Sequence, residues 1–392
     1  MKRAIVMVID SMGNGAMQDC REFGDVPECN TLKNVAHACN GLNVPNMEKM
    51  GLGNLDEYEG IAKEVNPSAQ YGTMLEKSNG KDTTTGHWEM AGLVLPQAFQ
   101  TFTATGFPKE VIDRFIELTG CGDVLANIAA SGTAIIEEYN EEHHRTKYPI
   151  IYTSADSVYQ IAVDIDVIPL ETLYDWCAIA RKMFDDMGIN VSRVIARPYQ
   201  VVDGKPTRIG KYRRDYVLEP FADTVLNEVQ NAKGSVVAIG KIEDIFCKKG
   251  VTHAIHTGSN KEGLELTLKA IEGTLNLDEI KIVEGNEFDK SLIFTNLVDT
   301  DMLFGHRNDA LGYGKAIEEV DRYLTPIMEA MKEDDLLIIT ADHGCDPTVA
   351  GTDHTREHVP VLIYGKKVEP KNLGTITGFD YVAERIREHL LG

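Results

Sequence analysis

Three short apolar runs that each end in aspartate constrain this chain more than any other feature. Ala4–Ile9 ends at Asp10, Leu292–Val298 ends at Asp299 and Asp301, and Leu336–Thr340 stops just before Asp342. Continuous runs of this length, rich in Val, Ile and Leu, read as strands covered on both faces. Ser235–Ile239, which ends at Lys241, and Val359–Tyr364 extend the series. Gly314–Lys332 and Asp380–Leu391 have the spacing of amphipathic helices. Strand alternating with helix implies an α/β fold with a mostly parallel central sheet. In such sheets ligands bind beyond the carboxyl ends of the strands. One strand ending in Asp carries little weight, because Asp often opens a turn. Three of them, two with histidine close behind, define a candidate site.

The histidines sharpen it. Asp301 and His306 stand in D-M-L-F-G-H, Asp342 and His343 in A-D-H-G, and His354 in G-T-D-H-T-R-E-H. Carboxylate oxygen mixed with imidazole nitrogen suits Mn²⁺, Zn²⁺ or Fe²⁺ better than Ca²⁺ or Mg²⁺. If Asp10, Asp301 and Asp342 converge, each pair about 4 Å apart repels by about 4 kcal/mol at an effective dielectric near 20. Such a cluster persists only with bound cations or with raised carboxyl pKa values, and the donor types favour cations. His358, just before an apolar run, reads as a residue that orients a ligand or packs rather than one that binds metal.

A nucleophile is sought in Ser78–Glu89, SNGKDTTTGHWE, where a helix is expected to start near His87. One threonine at a helix start is commonly an N-cap. A threonine oxygen beside a divalent cation is instead a competent nucleophile, and a helix amino end favours a phosphorylated side chain. The residues themselves leave Thr83, Thr84 and Thr85 open.

The middle of the chain differs in charge. Between Arg181 and Arg214 nine Lys or Arg stand against three Asp, a net +6 in a chain whose formal charge is −22. That contrast marks either a solvated basic face or an anion-recognition surface on a second domain, residues 98–218, set between core segments 1–97 and 219–392. Lys109–Leu118 reads as a helix there, Ile150–Thr153 and Arg193–Ala196 as strands. The overall acidity, 61 acidic against 39 basic residues, argues against nucleic acid or anionic lipid as partners. No apolar stretch approaches membrane-spanning length, and the amino-terminal apolar run is too short for a signal-peptide core. Seven cysteines without CxxC spacing suggest reduced thiols and a cytoplasmic protein.

At these residues the chain resembles the phosphopentomutase family of the alkaline phosphatase superfamily. The resemblance runs nearly end to end through VIDSMGNG, GKDTTTGHWE, YTSADSVYQIA, RVIARPY, AIGKI, NLVDTDMLFGH, LLIITADHGCDP and GTDHTREHVP. It implies a split alkaline-phosphatase-like core interrupted by an α+β cap. It further implies two Mn²⁺, with Zn²⁺ also acceptable to the ligands. Asp301, His306 and His354 would hold one, Asp10, Asp342 and His343 the other, with Thr83 as the phosphorylated residue. Ser154, Asp156, Arg193, Ile195, Arg208 and Lys241 would line the substrate site. The implied reaction interconverts α-D-ribose 1-phosphate, or its 2-deoxy analogue, with ribose 5-phosphate through a bisphosphate, which could also serve as activator. The alternative on the same core is a metal-dependent phosphatase or phosphodiesterase. Two departures stand out: Thr84 where a hydrophobic residue is expected, and Cys345 where asparagine is common.

Overall fold

The computed structural model describes residues 2–154, 157–275 and 290–392. The chain forms two compact units, one from Met1–Pro96 with Pro220–Gly392 and one from Gln97–Glu219. In chain order the first unit opens with β1 (Lys2–Ile9) and β2 (Gln70–Leu75). The second contributes β3 (Leu125–Ala129), β4 (Ile150–Thr153), β5 (Val158–Asp164), β6 (Arg193–Val202), β7 (Lys205–Arg208) and β8 (Arg214–Val217). The first unit resumes with β9 (Ser235–Ile239), β10 (His253–Ile255), β11 (Lys290–Leu297), β12 (Asp335–Thr340), β13 (Val359–Tyr364) and β14 (Lys371–Thr377).

The large sheet has the order β10-β9-β11-β1-β12-β13-β2-β14. β1 lies in its middle, paired in parallel with β11 from Lys2↔Lys290 to Ile9↔Leu297 and with β12 from Arg3↔Asp335 to Val8↔Thr340. Every residue from Arg3 to Ile9 is buried, as expected of a strand covered on both faces. Because the three strands run the same way in register, Asp10, Asp301 and Asp342 emerge at one edge of the sheet. The expectation of a mostly parallel sheet holds with one reversal: β13 runs antiparallel to both β12 and β2. Arg3, buried in the strand, is compensated by Asp335 on the neighbouring strand. No helix among the described residues is long and apolar enough to cross a membrane.

The second unit is a smaller mixed sheet, β3-β4-β5-β6-β7, with β8 also pairing β6. Side-chain alternation sorts its two faces. Ile151, Tyr159, Ile161, Val194 and Ala196 point to one face and pack with helix residues Val111, Phe115, Leu173, Cys177 and Phe184. Ile150, Tyr152, Ala162 and Tyr199 point to the other, where helix Gly132–Thr146 covers them with Ile135 and Ile136.

Candidate active site

Local structure aims each side chain of the large sheet's edge. Immediately after β1, Ser11 adopts φ 65°, a left-handed conformation uncommon for a residue with a side chain. The turn directs its backbone N–H to Asp342 Oδ1 at 3.0 Å, while its hydroxyl meets Tyr313 at 2.8 Å. Asp301 sits in a π-helical turn, Thr300–Phe304, that follows β11; such turns recur at functional sites. Asp299 takes no part in the cluster: its Oδ2 accepts the Asn260 N–H at 2.8 Å.

The helix of the threonine segment spans Thr83–Met90, so it starts four residues before the expected His87. No threonine caps it. Asp82 does, accepting from Thr85 N at 3.1 Å, and the Thr85 hydroxyl also turns back to Asp82. Thr83 is the first residue of the helix, and its Oγ1 lies 3.2 Å from His343 Nε2. Close approach here requires glycine: a Cβ at Gly86 would meet the Asp342 carbonyl oxygen at 2.2 Å.

Six of the expected ligands come together. His306 Nε2 is 3.3 Å from Asp301 Oδ2, His354 Nε2 is 3.2 Å from Asp301 Oδ1, and the two Nε2 atoms are 3.1 Å apart. Nearby, His343 Nε2 is 3.3 Å from Asp342 Oδ2 and 3.6 Å from Asp10 Oδ1. Ligand atoms held about 2.0–2.1 Å from a tetrahedral ion stand about 3.3 Å from each other, so these separations suit shared cations. The donor atoms form overlapping sets: Asp301–His343–His354, Asp301–His306–Cys345 and Asp10–Asp342–His343. Outer contacts fix the tautomers. His306 Nδ1 faces the Thr352 carbonyl at 2.6 Å and His343 Nδ1 the Gly344 carbonyl at 3.0 Å, so each N–H donates away and leaves Nε2 as a lone pair.

The carboxylates carry the decisive detail. Asp10 Oδ1, Asp301 Oδ1 and Asp342 Oδ2 are buried and make no hydrogen bond, although imidazoles stand beside them. Buried oxygens left this way are costly unless a cation meets them. Electrostatics agrees. Burial raises the Asp10 carboxyl well above its ordinary value, Asp342 and Asp301 add to this, and Lys241 and Asn296 oppose it. Burial would also raise Asp301, but the His306 and His354 imidazoles beside it hold it below the ordinary range. The Asp301 carboxylate beside it pushes His306 up to about 11, whereas burial takes His343 down to about 4. The centre attracts positive charge on one side and keeps a neutral imidazole on the other.

The second unit carries its own cavity of about 330 Å³, where helix Gly132–Thr146 leaves the sheet face uncovered. Ser154, Arg193, Ile195 and Arg208 line it, as do Arg197, Arg213, Gln160 and Tyr152. Arg193, Ile195 and Arg197 share a face because they alternate along β6, a period-2 signal present in RVIARPY. Asp215 takes Arg213 at 2.7 Å through both oxygens, and Arg197 Nε donates to Gln160 at 2.9 Å. The four guanidiniums leave the cavity strongly positive. Lys241 belongs to the first unit, at the end of β9 beside Asp10. Asp156 lies outside the described residues.

Side chains not singled out from the sequence also stand at the metal-ligand cluster. His87 Nδ1 lies 2.8 Å from the Thr83 carbonyl and 3.2 Å from Asp342 Oδ2. Asn296 donates to Asp10 Oδ2 at 2.9 Å. His358 packs rather than joining the cluster, with Nδ1 2.9 Å from the Gly15 carbonyl.

A sheet edge with clustered Asp and His donors and a hydroxyl at a helix start defines a metal-dependent enzyme. Residues 2–391 match the Metalloenzyme superfamily model. Among curated proteins, the chain is 50% identical to a phosphopentomutase of Clostridium novyi, covering 98% of this chain and 94% of the relative. It is 49% identical to one of Caldanaerobacter subterraneus, over 99% and 94%, and 46% identical to one of an Anaeromyxobacter, over 99% and 95%. The chain belongs to the phosphopentomutase family, and with it to the isomerase class of enzymes.

Proposed function

We propose that this protein moves a phosphoryl group between the 1- and 5-oxygens of ribose, and of 2-deoxyribose, through phosphorylated Thr83. The observation that carries the reading is the Thr83 hydroxyl at a helix amino end, 3.2 Å from His343 Nε2 inside the Asp/His cluster. Family membership supplies the substrate class; the geometry supports the chemistry.

In this reading Asp301, His306 and His354 hold one divalent cation and Asp10, Asp342 and His343 the other. The unbonded buried carboxylate oxygens fit that role. Mn²⁺ is the family's choice, and the same donors accept Zn²⁺. When bound, the cations neutralise charge on the phosphoryl oxygens during in-line transfer. Thr83 carries the phosphoryl group at the amino end of helix Thr83–Met90, where the helix dipole favours anions. Phosphothreonine gives its phosphoryl to the free hydroxyl of a bound pentose monophosphate, forming a 1,5-bisphosphate. The Thr83 oxygen then accepts the phosphoryl from the other end, and the isomeric monophosphate leaves. Ser154, Arg193, Ile195 and Arg208 bind the sugar phosphate together with Asp156 and Lys241. The second unit serves as a cap that excludes water, so that phosphothreonine is not hydrolysed. A bisphosphate of the same sugar class can charge Thr83 initially. All seven cysteines are free thiols, which suits a cytoplasmic site of action.

The test is an assay with ribose 5-phosphate and Mn²⁺, following ribose 1-phosphate and inorganic phosphate together by ³¹P NMR. Ribose 1-phosphate without free phosphate is the expected result. Free phosphate alone would make the protein a phosphatase on the same metal centre.

A further inference from the structure

The nucleophile segment, Glu76–Asp82, joins β2 to helix Thr83–Met90 through a loop with no regular structure of its own. One buried side chain grips it. Arg356, only 3% exposed, directs Nη1 to Glu76 Oε2 at 2.5 Å, to the Ser78 carbonyl at 2.8 Å and to the Gly80 carbonyl at 2.6 Å. Its Nη2 reaches the Glu76 carbonyl at 3.3 Å and Asp19 at 3.0 Å, and Nε faces Asp19 at 3.3 Å. The guanidinium plane lies over Phe23, 4.7 Å from the ring centroid. All five N–H donors of the fork are thereby used, three backbone carbonyls among the acceptors. The backbone of Arg356 is fixed too, its N–H on Asp25 at 2.8 Å and its carbonyl on Met17 N at 3.0 Å. His354 is two residues upstream.

The loop in turn packs tightly on the helix it leads into: a Cβ at Gly80 would stand 2.7 Å from Thr85 Oγ1. Gly80 precedes Thr83 by three residues, so a held Gly80 carbonyl restrains the chain that enters the helix at the Asp82 cap.

We propose that Arg356 is a positioning residue for phosphoryl transfer: it ties the loop before Thr83 to the chain carrying His354, and so fixes the Thr83 oxygen against the metal ligands. The inference rests on the reading of Thr83 given above. Lysine cannot replace the fork, because a single ammonium cannot span the Ser78 and Gly80 carbonyls, Glu76 and Asp19 at once. The partners named here for Arg356, from Met17 to Gly80, all belong to the first unit.

The experiment compares Mn²⁺-loaded wild type with Arg356→Lys. It reads phosphate incorporation at Thr83 from ribose 1,5-bisphosphate by rapid quench and mass spectrometry, and steady-state kcat and KM for ribose 5-phosphate. A displacement near 1 Å predicts that loading and kcat fall about 10- to 100-fold while KM and metal content stay unchanged. Wild-type loading in Arg356→Lys, with only a lower melting temperature, would reduce Arg356 to a structural residue and overturn the proposal. So would a loss of bound metal that by itself accounts for the lost activity. Should Arg356→Lys not fold, Glu76→Gln removes the buried carboxylate partner of Nη1 and must slow loading without raising KM; unchanged loading there overturns the proposal. Wild-type phosphate found on a residue other than Thr83 would instead refute the Thr83 reading.

Discussion

At the scale of single residues the centre is organised by what each side chain can donate. Thr83 and Thr85 are two residues apart and chemically alike, yet only one faces the Asp/His cluster. The Thr85 hydroxyl turns back to the Asp82 carboxylate, whereas the Thr83 hydroxyl faces His343. Thr83→Ala is therefore expected to lose phosphate incorporation and to lower kcat by a factor on the order of 10³ or more, as for other enzymes deprived of their nucleophile. Thr85→Val, by contrast, removes a hydrogen bond of the cap and is expected to cost about 1 kcal/mol of stability while phosphate still appears at Thr83. Phosphopeptide mapping of both variants checks the pair. The residue types of the centre were legible in the sequence, because Asp and His at strand ends have few roles. Arg356 was not: an arginine in a polar loop reads as a solvated side chain, and only the fold buries it among carbonyls. Asp82 could have been read as the helix cap from its place before the threonines, and that signal moves the helix start from His87 to Thr83.

At the scale of elements, strand positions follow from apolar runs, but strand direction does not. β13 is as apolar as β12 and is buried like it, so composition cannot reveal that it runs the other way. Direction is set by the connection, and the segment between Thr340 and Val359 bears Asp342, His343 and His354 and returns along the same edge. The strands of the second unit were legible only in part, since β7 and β8 are short and largely exposed. Its helix Gly132–Thr146 is anchored by His143, which is fully buried. Nδ1–H donates to the Tyr148 carbonyl at 2.7 Å and Nε2 accepts the Asp164 N–H at 3.0 Å, so the ring must be neutral. Burial lowers its pKa and His144 adds to this, against the Tyr148 carbonyl and the Asp164 carboxylate. A histidine with a depressed folded pKa contributes stability that is complete above the unfolded value near 6.5 and is lost as pH falls through the folded value. Each unit of depression corresponds to about 1.4 kcal/mol. Urea unfolding followed by Trp176 in a Trp88→Phe background is thus expected to show a midpoint that drops from pH 7.5 to pH 5.5. His143→Gln, whose amide can both donate and accept, should flatten that drop. Equal slopes in the two proteins would remove His143 as its source.

For the whole molecule, charge and metal binding meet in one argument. A chain of net −22 folds three buried carboxylates against each other at the edge of its central sheet. Without cations, protons must serve instead, as the raised Asp10 and His306 indicate. With cations, the native state gains RT ln(1 + [M]/Kd) per site, about 2.7 kcal/mol at a hundred times Kd. The proposed ligands all belong to the first unit, as does Trp88, which is fully buried with its ring N–H on the Ile245 carbonyl at 3.0 Å. Trp176 belongs to the second. Single-tryptophan variants therefore read the two units separately. Chelation is expected to lower the urea midpoint reported by Trp88 and to leave that of Trp176 in place, with Mn²⁺ restoring the first. Asp301→Asn should shrink the Mn²⁺ effect on Trp88 by removing the carboxylate shared by His306 and His354. Equal shifts of both reporters would mean that the units unfold as one. No shift in either would leave the buried carboxylates without the cations that their unbonded oxygens call for, and would sink the two-cation reading.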